Sequence, residues 1–501
     1  MKNNSDFLTV ATPAPWDRGA PVINGPVLWG ATPGRELLYA LPVRGERPLH
    51  FEWSGEIPPG LRLDPDRGFV TGRAPAGIYR LRFLVSNRLG RAEKPFRFEI
   101  APNRLCRTPL LGWSSWNACV DLVSQQAVAE AASRMADTGL QARGYSYINI
   151  DSCWQGTRGG ESNAIQPNAK FPDMKALVDH IHRLGLHAGI YSTPMVQAWG
   201  AINHLFLPGS TGYPLDPAYY HFYFGGCGKT PFETNDAAAF AKWGFDYLKY
   251  DWPECDIMHT ERMRRALDAT GRDFVLSLCT SCDWKLYDDY SRSANILRAN
   301  GDTRARWNVI LRNGFTGDHW SKLVRPGCWF DMDMLGLGVM QMNVPSEENR
   351  EGATDGLSRD EAITHFLAWA CFPCSLQLSC DLAKLDGFTG ALVANEEVLA
   401  VNQDEFAGCS ECIEETRTER NGKLERRVKL YRRSLANGDV LFTAFNLGEV
   451  AEKIACPLPS GDFARFRDLL AGENLDSPDF ALPPHGARAV RMIRRENLAD
   501  A

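Results

Sequence analysis

No uninterrupted apolar run in this sequence approaches the ~18–20 residues that cross a bilayer as a helix. No long basic run is present either, and the formal net charge is -6. Nucleic acid and membrane are therefore not expected as partners. The first residues, "MKNNSDFLTVATPAPWDRGAPV", lack the apolar core and small-residue cleavage site of a secretory leader. The expected location is cytoplasmic, or secreted or periplasmic if a leader has been removed. No glycine-rich loop follows the first strand of the βα region, which argues against a dinucleotide-binding reading. Histidine is scarce, with 10 residues in 501, and none falls at the end of a predicted strand, where a hydrolytic metal site would need it. No metal and no organic cofactor is expected.

Cysteine is plentiful by contrast, 14 residues, but scattered. The CxxC pairs Cys279/Cys282, Cys371/Cys374 and Cys409/Cys412 read better as buried free thiols than as zinc or redox sites, because "HFLAWACFPCSLQLSCDL" places one pair in an apolar segment. Hydrophobic residues at 44% and charged residues at 23% describe a globular protein. The chain is too long for one core, so several domains are expected. Residues 1–20 read as an extended proline-rich lead. Over 21–102, short alternating strands such as "ELLYALPV" and "GIYRLRFLVSN" are punctuated by "IPPG", "DPDRG" and "APAG", which predicts an immunoglobulin-like β-sandwich. Its expected role is structural, with sugar binding through aromatics such as Trp53 as the alternative. Over 103–408 short apolar runs alternate with amphipathic helical stretches, which predicts a parallel (β/α)8 TIM barrel. Over 409–501 alternation returns, with Asn421-Gly422 as a hairpin turn, and a closing antiparallel β-sandwich is expected. The charged run over 417–433 reads as the solvated face of a strand.

In such a barrel the active site lies at the C-terminal ends of the strands. Acids fall where several predicted strands stop: Asp151 in "INID", Asp251 in "LKYD", Asp302 in "RANGD", and Asp331 and Asp333 in "WFDMDML". One such acid can merely cap the next helix, but four strand ends carrying them point to a site. With Trp113, Trp116, Trp154 and Trp329 they suggest a sugar pocket, since aromatic faces pack on the apolar face of a pyranose and carboxylates accept its hydroxyl hydrogen bonds.

The blocks "TPLLGWSSWNAC", "GYSYINIDSCWQ", "FPDMKALVDHIHRLGLHAGIYS", "WGFDYLKYDW", "LRANGD", "CWFDMDML" and "CDLAKLDGFTGALVANEEVLAVNQD" resemble, in this order, the α-galactosidases of glycoside hydrolase family 27. The likeness runs from about Thr108 to Asp404, and bacterial members carry an immunoglobulin-like domain before the barrel. The resemblance implies a retaining exo-glycosidase with an oligosaccharide or glycoside as substrate, Asp251 as nucleophile and Asp302 as general acid/base. It also implies a substrate-binding shell of Trp116, Asp151, Ser152, Tyr191 and Lys249, completed by Cys279, Thr280, Arg298, Trp329 and Asp331. Lys249, two residues before Asp251, shares its strand face. A retaining enzyme needs two carboxyls about 5–5.5 Å apart.

The sequence departs from the family in the sugar-reading shell. Asp151-Ser152 stands where the family has two aspartates, and "DWPECD" follows the nucleophile. Where many members have Cys-Glu-Trp, either Thr280-Ser281 follows Cys279 and opens space at the 2-substituent, or Asp283-Trp284 aligns with Glu-Trp and keeps an acid near the 2-hydroxyl. Phe330-Asp331-Met332-Asp333 replaces Asn-Asp-Pro-Asp, with both acids expected to brace the pocket. An α-N-acetylgalactosaminidase or a β-L-arabinopyranosidase are the alternatives within the family. A sugar-binding barrel without turnover and a metal-dependent hydrolase are the rivals outside it.

Overall fold

The computed structural model describes residues 8–200, 205–219, 226–253, 255–279, 282–315, 323–343, 356–406, 408–420 and 423–500. Its centre is a ring of eight parallel strands: β1 (Leu111–Ser114), β2 (Tyr147–Asn149), β3 (His187–Ser192), β4 (Tyr247–Asp251), β5 (Val275–Cys279), β6 (Ile296–Arg298), β7 (Trp329–Asp331) and β8 (Leu376–Leu378). They pair in chain order, with β8 beside β1. A parallel bridge from Leu335, just past β7, to Leu378 closes the ring.

The helices between strands form for local reasons that the sequence states. Helix Gln125–Asp137 is capped by Ser124, whose side chain accepts from the Ala127 amide, and it buries Val128, Ala131, Ala132 and Met135 along one stripe. Helix Met174–Arg183 repeats the device with Asp173 as cap and Met174, Leu177, Val178 and Ile181 inward. Gly244 stops helix Glu233–Trp243 in the left-handed conformation, φ 98°, and the chain turns directly into β4.

Inside the ring, strand alternation stacks side chains in layers. Tyr147, Tyr247, Val275 and Ile296 cluster with Leu110 at the floor. Above them Asn149 of β2 donates to Gln377 of β8, over the intervening β1, at 2.9 Å. A side chain at position 189 would collide with Asn149 Oδ1, 1.9 Å from an ideal Cβ, so only glycine leaves that cross-link its room.

The N-terminal region forms a four-stranded sheet (Leu28–Ala31, His50–Gly55, Gly77–Asn87, Gly90–Ile100) and a three-stranded one (Leu37–Ala40, Leu61–Leu63, Phe69–Gly72) that share one apolar core. Trp53 is half-buried there, stacked on Phe83 at 6.2 Å, so it packs the module's core instead of presenting a free face to a sugar. The module sits under the N-terminal ends of the barrel strands. Trp29 stacks on His187 at the start of β3, 5.5 Å and 11°, and Asp273 before β5 accepts from the Thr32 amide at 2.9 Å. A cavity of about 510 Å³ lies in this joint, lined by residues that include Trp29, Phe69, Tyr147, His187, Asp246 and Arg272.

The C-terminal region is a six-stranded antiparallel sheet with a two-stranded one beside it. Its first two strands, Glu411–Arg420 and Lys423–Ser434, pair Arg420 with Lys423. The turn Asn421-Gly422 itself lies outside the described residues. The charged run is solvated only in part. Lys429 and Arg433 are buried, and Arg433 donates to the Val401 carbonyl at 2.8 Å. This strand lies against the barrel, so its inward charges satisfy barrel carbonyls.

Candidate active site

The site is built upward from β4. Tyr247, Lys249 and Asp251 face the barrel interior, while Leu248 and Tyr250 are buried in the core shared with the helices. Tyr247 belongs to the floor layer, and Asp251 is the last residue of the strand. Lys249 Nζ donates to Asp151 Oδ2 at 2.8 Å. Burial alone would discharge this lysine, but Asp151, Cys279 and Asp251 outweigh it and hold the ammonium well above its usual pKa. Asp151, 3% exposed, takes the Ser152 amide on its other oxygen at 2.8 Å. Ser152 is buried beside it. Tyr191, opposite Lys249 in register on β3, hydrogen-bonds Asp251, and burial and the adjacent carboxylates push its phenol well up.

The second half of the site is built on β5, β6 and β7. Asp251 pairs in register with Cys279, whose sulfur accepts from Arg298 Nη1 at 3.2 Å. Arg298, 2% exposed, then reaches Asp302 through Nη2 at 2.8 Å. Asp302 stands at the rim with its side chain 70% exposed. The protein packed around its carboxyl would raise the pKa, but Arg298 and Lys249 outweigh that and hold it below the usual carboxylate range. Asp331, the last residue of β7, is buried and pushed up by that burial. The five carboxyls of Asp151, Asp251, Asp302, Asp331 and Asp333 thus face two cations, Lys249 and Arg298. Such a negative pocket suits a transition state with oxocarbenium character.

The structure brings most of the predicted residues together: Asp151, Ser152, Tyr191, Lys249, Asp251, Cys279, Arg298, Asp302 and Asp331 lie at or beside the C-terminal strand ends. Trp116, in the short helix after β1, is half-buried at the same end. Thr280 lies outside the described residues, as do Ser281 and Glu254.

Trp329 requires a correction. It opens β7 instead of ending it, 1% exposed, and its indole N–H donates to the Cys106 carbonyl at 2.7 Å. Two residues of strand set it about 6–7 Å deeper than Asp331, at the floor and away from the pocket. Trp113 and Trp154 are also core residues, donating to the carbonyls of Cys380 and Tyr191 at 2.8 and 2.9 Å.

Asp333 is more deeply involved than a bracing role implies. Its Oδ1 lies 2.9 Å from Arg298 Nη1, and the period-two spacing from Asp331 was the only signal for it. Among the described residues no group of three or more His, Cys, Asp or Glu side chains is placed to hold a metal ion.

A (β/α)8 ring with paired carboxylates at its strand ends, one ion-paired and exposed at the mouth, defines a barrel glycoside hydrolase. The sequence profile of the α-galactosidase A (melibiase) family matches residues 108–404, more than half of the chain, and the chain belongs to that family. α-Galactosidase 2 of Arabidopsis thaliana is 31% identical over 414 residues, 79% of this chain and 91% of its own length. Among solved structures, a Bacteroides fragilis protein provisionally assigned as an α-galactosidase/melibiase superposes with a TM-score of 0.81 at 26% identity, covering 95% of this chain and 98% of its own. α-Galactosidase I of Mortierella vinacea gives 0.64 at 27%, covering 79% and 99%.

Proposed function

We propose that this glycoside hydrolase removes a terminal α-linked galacto-configured residue with net retention, Asp251 acting as nucleophile and Asp302 as general acid/base. The observation that carries the reading is the arrangement of charge. Asp251 ends β4 in hydrogen-bonding contact with Tyr191 and near the Lys249 ammonium. Asp302 stands at the mouth on Arg298, where a leaving group would exit.

In the first step Asp251 attacks the anomeric carbon as the glycosidic bond breaks, and the proton of Asp302 passes to the departing oxygen. In the second step Asp302, now ionised, takes a proton from water as that water cleaves the glycosyl-enzyme ester. Asp151, gripped by Lys249, is placed to accept hydroxyl hydrogen bonds at the closed end of the pocket.

The test is hydrolysis of a panel of p-nitrophenyl glycosides: α-galactoside, α-N-acetylgalactosaminide, β-L-arabinopyranoside and α-glucoside. Turnover of the α-galactoside is expected, and Asp251→Asn should abolish it. Asp302→Ala should lose about 10²–10⁴-fold on alkyl glycosides and much less in the glycosylation step of activated aryl ones. Preference for the α-glucoside would overturn the galacto reading, and preference for the α-N-acetylgalactosaminide or the β-L-arabinopyranoside would overturn galactose itself as the sugar. Turnover retained in Asp251→Asn would overturn the assigned nucleophile.

A further inference from the structure

Asp333 is held in a way that a merely structural acid would not need. It adopts the left-handed conformation, φ 74°, which few residues other than glycine, asparagine and aspartate accept. The turn carries its carboxyl back beneath the loop that follows β6. There Oδ1 lies 2.9 Å from Arg298 Nη1, and Oδ2 accepts the backbone amide of Thr303 at 2.6 Å. Thr303 is the residue after Asp302, and Arg298 is the counter-ion of Asp302. The side chain of Asn313 in turn donates to the Thr303 hydroxyl at 2.9 Å. Asp333 is 3% exposed, so substrate has little of it to touch.

We propose that Asp333 is the positioning residue for the general acid: by sharing Arg298 and fixing Thr303, it keeps Asp302 in place and able to hold the proton it delivers. The proposal rests on Asp302 being the acid/base.

A guanidinium engaged by one carboxylate stabilises the ionised form of that carboxylate fully. Divided between two, it stabilises each less, and the two negative charges oppose each other. Ionised Asp333 therefore raises the proton affinity of Asp302, and the coupling is reciprocal. Among the described residues, the charged and titratable groups around the pair include Arg298, Lys249 and Arg304, which draw protons off, Arg312, which donates to the Asp302 carbonyl at 3.4 Å, Asp331, which opposes the loss of protons, and the thiols of Cys279 and Cys374. Burial, with Asp302 and Asp331 beside it, brings Asp333 up to about 6. Its charge thus develops as pH rises through that value. Arg298 and Lys249 already draw the proton of Asp302 off below that range, so above it the charge on Asp333 enlarges the small fraction of Asp302 that still holds a proton.

Asp333→Asn tests this, because asparagine accepts the same backbone conformation and still offers an acceptor to Thr303 while the charge is gone. Profiles of kcat/KM against pH, which report the free enzyme through the glycosylation step, are measured for wild type and variant on an alkyl α-galactoside and on the p-nitrophenyl α-galactoside. The deficit of the variant on the alkyl substrate should grow as pH rises through about 6, to roughly tenfold by about pH 8, the effect of one pKa unit on Asp302. The activated substrate should show less. A deficit constant with pH, or none, overturns the proposal.

If Asp333→Asn does not fold, Asp333→Glu carries the test. It keeps the charge with a different reach, so any deficit must be independent of pH, and a pH-dependent one overturns the idea. Failure of the Asp302 assignment itself shows separately, as an Asp302→Ala variant whose loss does not depend on the leaving group.

Discussion

Asp302 and Lys249 set the pH behaviour at the scale of single residues. A general acid works only while protonated, so activity falls as pH rises through its pKa. In the free protein Arg298 and Lys249 hold Asp302 below the usual carboxylate range. The alkaline limb of kcat/KM, which reports the free enzyme, should therefore begin on the acid side of neutrality. Lys249→Met removes one of those cations, so Asp302 keeps its proton longer and the limb should move to higher pH, whatever the loss in kcat. That direction is opposite to the one expected for Asp333→Asn. Profiles of both variants measured side by side provide the check, and movement in the same direction would refute this electrostatic account. Lys249 also neutralises Asp151, which is 3% exposed, so the variant should melt earlier as well.

At the scale of elements, the segments that lead into the strands matter as much as the strand ends. Asp246, the residue before β4, accepts from His182 at 2.8 Å and from the Ala188 amide at 2.9 Å. It thereby ties helix Met174–Arg183 and β3 to β4 at the floor. Burial alone would raise its pKa, but His182 and Arg272 outweigh burial and hold it well below the usual range. A depressed carboxylate contributes stability above its unfolded pKa, and that stability is lost as pH falls through the folded one. Asp246→Asn should cost about 3–5 kcal/mol near neutrality, because His182 and Arg272 lose their partner, and the difference from wild type should shrink on acidification. Urea unfolding at several pH values measures both. Helix Met174–Arg183 and strand β3 were legible from their periodicity, while this knot was not, since Asp246 lies between two elements and carries no pattern of its own.

The whole molecule is fastened from its N-terminal segment. Leu8 is buried in the core shared by the barrel and the C-terminal sheet, and the Ala11 amide donates to the Leu470 carbonyl at 2.8 Å. Arg143 of the barrel reaches the Ala14 carbonyl at 2.6 Å. Trp16 donates to Asp137 at 3.0 Å, and its carbonyl accepts from Gly45 of the N-terminal module. Nine residues therefore tie three bodies together, all on the face away from the site. Leu8→Ala should cost about 2–4 kcal/mol, and deletion of residues 1–16 should lower Tm while leaving KM in place. A changed KM on deletion would mean that the segment communicates with the pocket. The N-terminal module lies on the same side, under the strand starts, so its contacts brace the barrel and do not cover the mouth.

Local sequence was enough to determine the order of elements, the ring of βα units and the acids at the strand ends. Propensity, capping and period-two alternation act over a few residues and are written there. Alternation states only whether a side chain points inward, however. It does not state how high along the barrel axis that side chain sits, or what meets it there. Trp329 and Asp331 share a face of β7, yet one packs at the floor against Cys106 and the other borders the pocket. Lys429 and Arg433 alternate like solvated residues, yet the docked barrel buries them. Asp333 reaches Arg298 only because the chain turns back after β7. Those outcomes depend on ring closure, strand stagger and domain docking, which join residues far apart in the chain and are therefore decided only in the tertiary structure.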